Sequence, residues 1–293
     1  MRRPAVAVAA LGLASFLFGA TFVMVKDAIT VLPPLGFVGW RFSLGAAALL
    51  AISRPRRRTT VRHGVVAGLL LFAGYAFQTR GLVDTTASAS GLITGLYVVF
   101  TPLLAAAVAR RRPRLGVMAG ALVAFAGLVA LTSSEGLRAR PGDLWTLGAA
   151  IAFAGHIVYL SRVARHHPVI AFTGVQLAVV AFLGLTGSLI LEEFAVPGGA
   201  SVTALLVTGL AVSGGAFLLQ VWSQTVIGAA RTALVLALEP VFAAVAGAVI
   251  LGERLGTGGI LGGLLILIGI HVVLAATGDE DDLPAAEAVS AAH

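Results

Sequence analysis

The chain contains no cysteine, which excludes disulfides, thiolate metal sites and cysteine nucleophiles. Charge is scarce as well: Asp, Glu, Lys and Arg make up 11% of 293 residues, against about 25% in soluble domains. So few charged side chains cannot coat a water-facing surface. Also missing are a Walker-type phosphate loop, an HExxH pair, a GxSxG elbow and any cluster of aspartates inside an apolar run. ATP-driven pumping by this chain alone and zinc- or serine-dependent hydrolysis are therefore unsupported, and no cofactor or resident metal is implied.

What is abundant is apolar surface. Hydrophobic residues make up 58% of the chain and the mean hydropathy is +0.99. The apolar stretches are too many for one buried core, and a lipid bilayer is the solvent that suits them. Ten runs are long enough to cross it as helices, at about 5–25, 34–52, 64–82, 87–109, 115–133, 143–161, 169–190, 200–220, 227–250 and 257–276. The runs at 64–82 and 200–220 are the weakest. The opening MRRPAVAVAALGLASFLFGA looks like a signal peptide, with Arg2 and Arg3 ahead of an apolar stretch. Apolar character continues through Phe22–Val25, so an uncleaved first span is expected. The tail 278–293 is acidic and alanine-rich, a composition that predicts disorder.

One segment occurs twice: VVFTPLLAAAVARRRPRLG around Pro102 and LALEPVFAAVAGAVILGERLG around Pro240. Recurrence at half the chain length predicts a doubled unit, with residues 1–135 and 136–277 as the two repeats. The net charge of +7 resides in arginine clusters between apolar runs, not on a binding face, and no nucleic-acid partner is expected. With the N-terminus inside, the inner segments carry Arg2, Arg3, Arg54, Arg56, Arg57, Arg58, Arg62, Arg110, Arg111, Arg112, Arg114, Arg162, Arg165 and Arg231. The outer ones carry Lys26, Arg80, Arg138, Arg140 and Arg254. Fourteen against five is the positive-inside bias, and it predicts that both termini are cytoplasmic. Five spans per repeat force the second copy to insert upside down. The expected fold is thus an all-α integral membrane protein of ten transmembrane helices in two inverted five-helix repeats. The turns agree: RRRPR after the fourth run keeps its arginines, and LGERL after the ninth has lost the cluster.

Polar groups inside spans are costly, so each is a functional candidate. Arg41 could anchor an anionic substrate group or pair with an acid; it could equally snorkel to the headgroups. Glu239 is the only acid far from a predicted loop. Its carboxyl is a candidate for proton coupling, or for a hydrogen bond to backbone freed by Pro240. An Arg41–Glu239 pair is a further option. Pro102 and Pro240 are expected to break their helices near mid-membrane and expose carbonyls to a cavity, or simply to kink them. Gln78, Tyr97, His156, Gln176, Gln220, Trp222 and Gln224 could line that cavity or bind helices together. His271 suits an interface, and His166-His167 lies in a turn without further metal ligands nearby. Glycines spaced by four, Gly116 with Gly120, Gly258 with Gly262 and Gly259 with Gly263, predict close helix packing in the fifth and tenth spans.

These features together resemble the EamA family of the drug/metabolite transporter superfamily. LFGATFVMVKDAITVLPPLGFVGWRFSLGAAALL, with Lys26, Pro34 and Arg41, is similar to the opening of an EamA domain. GDLWTLGAAIAFAGHIVYLSR at 142–162 resembles the opening of a second, and LALEP at 236–240 with LGERL at 251–255 its close. The likeness spans about residues 8–276. It implies ten helices around a central cavity, the fifth and tenth being peripheral. It also implies a transporter, not an enzyme, for small metabolites, amino acids or drug-like compounds, often outward, in the bacterial plasma membrane. The glutamate usual in the first-half turn is replaced by RRRPR, so any role for an acid there is lost, while Glu253 keeps it in the second half. A membrane transferase on lipid-linked substrates is the alternative class, with Glu192-Glu193 the nearest boundary acids; a non-transporting scaffold is another, against which the buried polar residues argue. The expected partners are a small-molecule substrate and the bilayer; the sequence carries no signal for an oligomeric state.

Overall fold

The computed structural model describes residues 2–133, 140–227, 229–254 and 256–277. The tail 278–293 and Arg138 lie outside them, as does the side chain of Arg231. Among the described residues every regular element is helical. Seven stretches are long and apolar enough to cross a membrane: Pro4–Ala28, Pro34–Ile52, Arg58–Asp84, Ala87–Val108, Pro141–His166, Val169–Leu191 and Ser201–Gln224. Three further apolar stretches, Leu115–Gly127, Glu239–Ile250 and Thr257–Val273, are shorter.

Several spans are broken. The first divides into α1 (Arg2–Ala20) and α2 (Phe22–Ala28). There Thr21 turns its hydroxyl back onto the carbonyls of Leu17 at 2.7 Å and Phe18 at 3.1 Å, a bond that bends helices. Next come α3 (Pro34–Ile52), which starts on a proline whose missing N–H costs nothing at a first turn, and α4 (Arg58–Asp84). The following span divides into α5 (Ala87–Thr94) and α6 (Tyr97–Val108); Thr86 caps α5 by accepting from Ala89 N at 3.1 Å. Then come α7 (Leu115–Ser133), α8 (Pro141–Val163) and α9 (Val169–Leu191). After α10 (Ala200–Leu206) the helix widens to π geometry over Val207–Ala216, tightens again as α11 (Phe217–Gln224), and is followed by α12 (Ala229–Leu236), α13 (Glu239–Ile250) and α14 (Thr257–Thr277).

Packing is dominated by α3 on α9, α7 on α14, α4 on α8 and α9, and α5 on α13. The α7–α14 contact is backbone-close because Gly120 and Gly127 of α7 meet Gly269 and Ile266 of α14. Leu122 and Phe125 of α7, Phe182 of α9 and Val249 of α13 face outward and are exposed, as lipid-facing positions are.

The two ends of the bundle differ in chemistry. One is stitched by side chains that satisfy orphan backbone groups at helix termini. Glu192 accepts from Leu35 N (2.9 Å) and Gly36 N (3.1 Å) at the start of α3. Glu253 accepts from Ala87 N (2.8 Å), Ser88 N (2.9 Å) and Ser88 Oγ (2.6 Å) at the start of α5. Lys26 Nζ donates to the carbonyls of Leu82 and Thr85, where α4 ends, and Thr85 Oγ1 donates to Asp143 Oδ1 at 2.7 Å. Glu192, the acid nearest a transferase role in sequence, is thus occupied as a cap. The other end collects the arginine turns and a histidine pair, His63 Nδ1 and His167 Nε2, 2.8 Å apart.

Candidate substrate chamber

The buried polar residues converge between α1, α4, α6, α8, α11 and α13. A cavity of about 40 Å³ is walled by Tyr75 and Gln78 of α4, Tyr97 of α6, His156 of α8, Gln220 of α11 and Glu239 of α13, with Phe18, Phe153, Phe217 and Leu236 closing the gaps. Beside it a pocket of about 20 Å³ is lined by Arg41, Thr21, Gln78 and Glu239. These volumes hold one or two waters, so the chamber is closed around its polar groups.

Glu239 begins α13, just after the break at Ala237–Leu238. Pro240 has no N–H, so the carbonyl four residues back, Leu236 O, loses its helical donor. Tyr97 OH takes that place, 2.8 Å from Leu236 O, and also lies 3.0 Å from Glu239 Oε2. The phenol has one proton for two acceptors. With Glu239 ionised, Tyr97 donates to the carboxylate. With Glu239 protonated, the carboxyl can donate to Tyr97 while Tyr97 donates to Leu236 O. The site therefore accommodates both states of the acid without moving a heavy atom.

Arg41 is buried on α3. Its Nε donates to Ser213 Oγ at 3.1 Å, and its guanidinium carbon lies 5.1 Å from the ring centres of Phe42 and Tyr75, a cation–π enclosure that suits a delocalised cation. Ser213 reaches it because the π-helical stretch of α10–α11 rotates that side chain inward; such wide turns recur at functional sites. Arg41 and Glu239 border the same pocket but form no ion pair: among the described residues the one ion pair is Arg80–Asp84.

Other expected residues fall in two groups. Gln78 donates to Thr94 Oγ1 at 3.2 Å and Gln220 to Gln224 Oε1 at 3.4 Å, both on the chamber wall. His156 Nε2 lies 2.9 Å from Gln176 Oε1. Gln176 is fully buried behind it and does not line the chamber, so it holds the imidazole in place. Trp222 packs on the flank of the apolar core and lines neither cavity. The helix break expected at Pro102 lies instead at Gly95–Leu96, with Pro102 inside α6. Gly95 is where α5–α6 crosses the other broken span: a Cβ there would overlap Pro240 Cγ. Sequence reasoning missed Tyr75, three residues before Gln78 and hence on the same helix face; that spacing was the available signal.

The profile of the EamA-like transporter family matches residues 6–133 and again residues 140–275. The chain belongs to this family. Similar EamA relatives include an "Uncharacterized transporter" of Archaeoglobus fulgidus, 28% identical and covering 90% of this chain and 84% of that one. A "Probable amino-acid metabolite efflux pump" of Salmonella typhimurium is 28% identical over 87% of this chain and 90% of its own. A solved structure superposes with a TM-score of 0.68 at 22% identity, covering 94% of this chain and 99% of that one, which shows the fold alone. With seven helices able to span a bilayer, this EamA family member is a multi-pass membrane protein.

Proposed function

We propose that the chain is a secondary transporter that exports small metabolites, amino acids or drug-like solutes across the plasma membrane by alternating access, coupled to protons through Glu239. In this reading ten spans form two inverted five-helix repeats, residues 1–135 and 136–277, with both termini in the cytoplasm. The packing supports that arrangement. An inverted two-fold exchanges the first span with the sixth and so on, so α3–α9 and α7–α14 map onto themselves. The contact of α4 with α8 maps onto that of α1 with α11, and α5–α13 onto α12–α6; all of these contacts are made. The stitched end is then extracellular and the arginine end cytoplasmic. The family supports a small-molecule substrate, and the efflux pump named above supports amino-acid-like solutes and outward movement.

The observation that carries the coupling is the Tyr97 hydroxyl shared between Leu236 O and Glu239. It lets the acid gain or lose a proton within a closed chamber, and the hydrogen bond it redirects ends on the carbonyl at the helix break. A thermal-shift screen of the purified protein with amino acids identifies a ligand, and proteoliposomes then measure its flux with and without a pH gradient. Glu239→Gln is expected to keep binding and lose the gradient-driven component. Full gradient-driven flux in that variant would remove Glu239 as the coupling group.

A further inference from the structure

A larger cavity lies directly below the chamber and takes no part in the proton arrangement. It holds about 360 Å³, within the range of small-ligand sites. Arg111, Arg112 and Arg114 of the α6–α7 turn, Arg162 of α8, and Thr101 and Ser161 line it, among apolar side chains of α6 and α12; the two hydroxyls donate to Tyr97 O and Val158 O on their own helices. Its roof and the chamber floor are neighbouring residues: Val98 lies beside Tyr97, Val158 beside Ile157, and Ala233 one turn from Leu236.

Topogenic arginines alone would be satisfied anywhere in a cytoplasmic loop. These converge from two elements on one cavity, and among the described residues no carboxylate stands within ion-pair distance of Arg111, Arg112 or Arg162. Arg114 is fixed by donating from Nη1 to Ala276 O at 2.9 Å, which ties the turn to the end of α14. The turn itself is strained. Arg110 has a φ of 53°, and Arg110 N and Arg111 N bond back to Ala107 O and Ala106 O, a helix cap whose left-handed position normally takes glycine. The turn after α13 does use glycine there, Gly252 with a φ of 64°. Left-handed backbone is disfavoured for a non-glycine residue, so Arg110 carries local strain at the head of the turn.

We propose that this vestibule binds the carboxylate of a small organic anion on its way to the chamber, so that the solutes handled carry at least one carboxylate. The inference rests on the transport reading for its direction of travel, but binding is measurable without flux. Because the chain has no cysteine, Ser161→Cys creates a single thiol on the vestibule wall. In phosphatidylcholine nanodiscs, an anionic methanethiosulfonate should modify it about tenfold faster than a cationic one, each relative to a free thiol, as a focused positive field requires. Succinate should slow the reaction at least about threefold, as occupancy of most sites demands, while neutral succinamide leaves it unchanged. Both effects should vanish when Arg111, Arg112 and Arg162 are all replaced by Gln. An Ala105→Cys reporter on the facing wall repeats the measurement if the first variant does not fold. Equal protection by succinate and succinamide, or none, overturns the proposal. So does protection by phosphatidylglycerol in place of succinate, which would assign the arginines to a lipid headgroup. A chain that binds succinate yet moves no solute would sink the transport reading and leave the vestibule assignment intact.

Discussion

Glu253 offers a direct test of what holds the stitched end closed. Its carboxylate is half-buried and accepts three hydrogen bonds of 2.6–2.9 Å from the first turn of α5. Bonds to a charged acceptor contribute about 1.5–3 kcal/mol each, but the freed N–H groups at this end regain water, so the set is worth about 3 kcal/mol. If the bonds exist only while this end is shut, Glu253→Ala shifts the closed–open equilibrium by roughly 100-fold. An open form populated at about 0.1% would rise to roughly a tenth of molecules. Spin labels on Val83→Cys and Arg254→Cys, both exposed positions flanking the contact, report the separation by pulsed electron resonance. The expected result is a second, longer distance population in Glu253→Ala and a smaller one in Glu253→Gln, which keeps one acceptor oxygen. An unchanged distance distribution together with a lowered melting temperature would refute the reasoning and reduce Glu253 to a helix cap.

Two further outcomes follow from packing and from charge. Gly95→Ala should destabilise the protein by about 1–3 kcal/mol, the usual cost of overpacking, because its Cβ would meet Pro240 Cγ; melting in detergent measures this, and an unchanged Tm would mean the two spans do not cross there. His167, in the turn between α8 and α9, is held below the ordinary histidine range, first by burial and then by His63, His166 and Arg57. A folded pKa below the unfolded value of about 6.5 means the stabilisation is present above that pH and fades as pH falls through the folded value. Tm should therefore drop between pH 7.5 and pH 5.5, and His167→Gln should flatten the drop.

The apolar runs made the all-helical, membrane-spanning character legible, since such runs are local properties of a chain. Where the sequence reading missed, the deciding contact was remote. Tyr97 and Glu239 were each recognisable as buried polar groups, but they are 142 residues apart, and only folding shows that one phenol serves both the acid and the carbonyl Pro240 leaves free. The break in α5–α6 was assigned to Pro102 because proline is the visible helix breaker; the chain bends at Gly95 because another helix needs the room. Arg41 is buried, but its partner is not legible in sequence, since Ser213 is turned inward by a π-helical stretch that a 3.6-residue period does not describe. Trp222 looked like a chamber residue on composition alone and sits on the flank, because nothing in a single helix says which face meets the neighbours.

The crossing at Gly95 and Pro240 also has a mechanical side. Two broken helices touch where neither carries a bulky side chain, with short arms reaching toward opposite ends of the bundle. At 1.5 Å per residue, α5 with its 8 residues is an arm of about 12 Å and α6 with its 12 residues one of about 18 Å. A tilt of about 10° around that point carries the far ends by roughly 2 and 3 Å. The first is enough to part Glu253 from the start of α5, and the second to narrow the arginine vestibule. The same fulcrum would then loosen one mouth of the protein as it tightens the other.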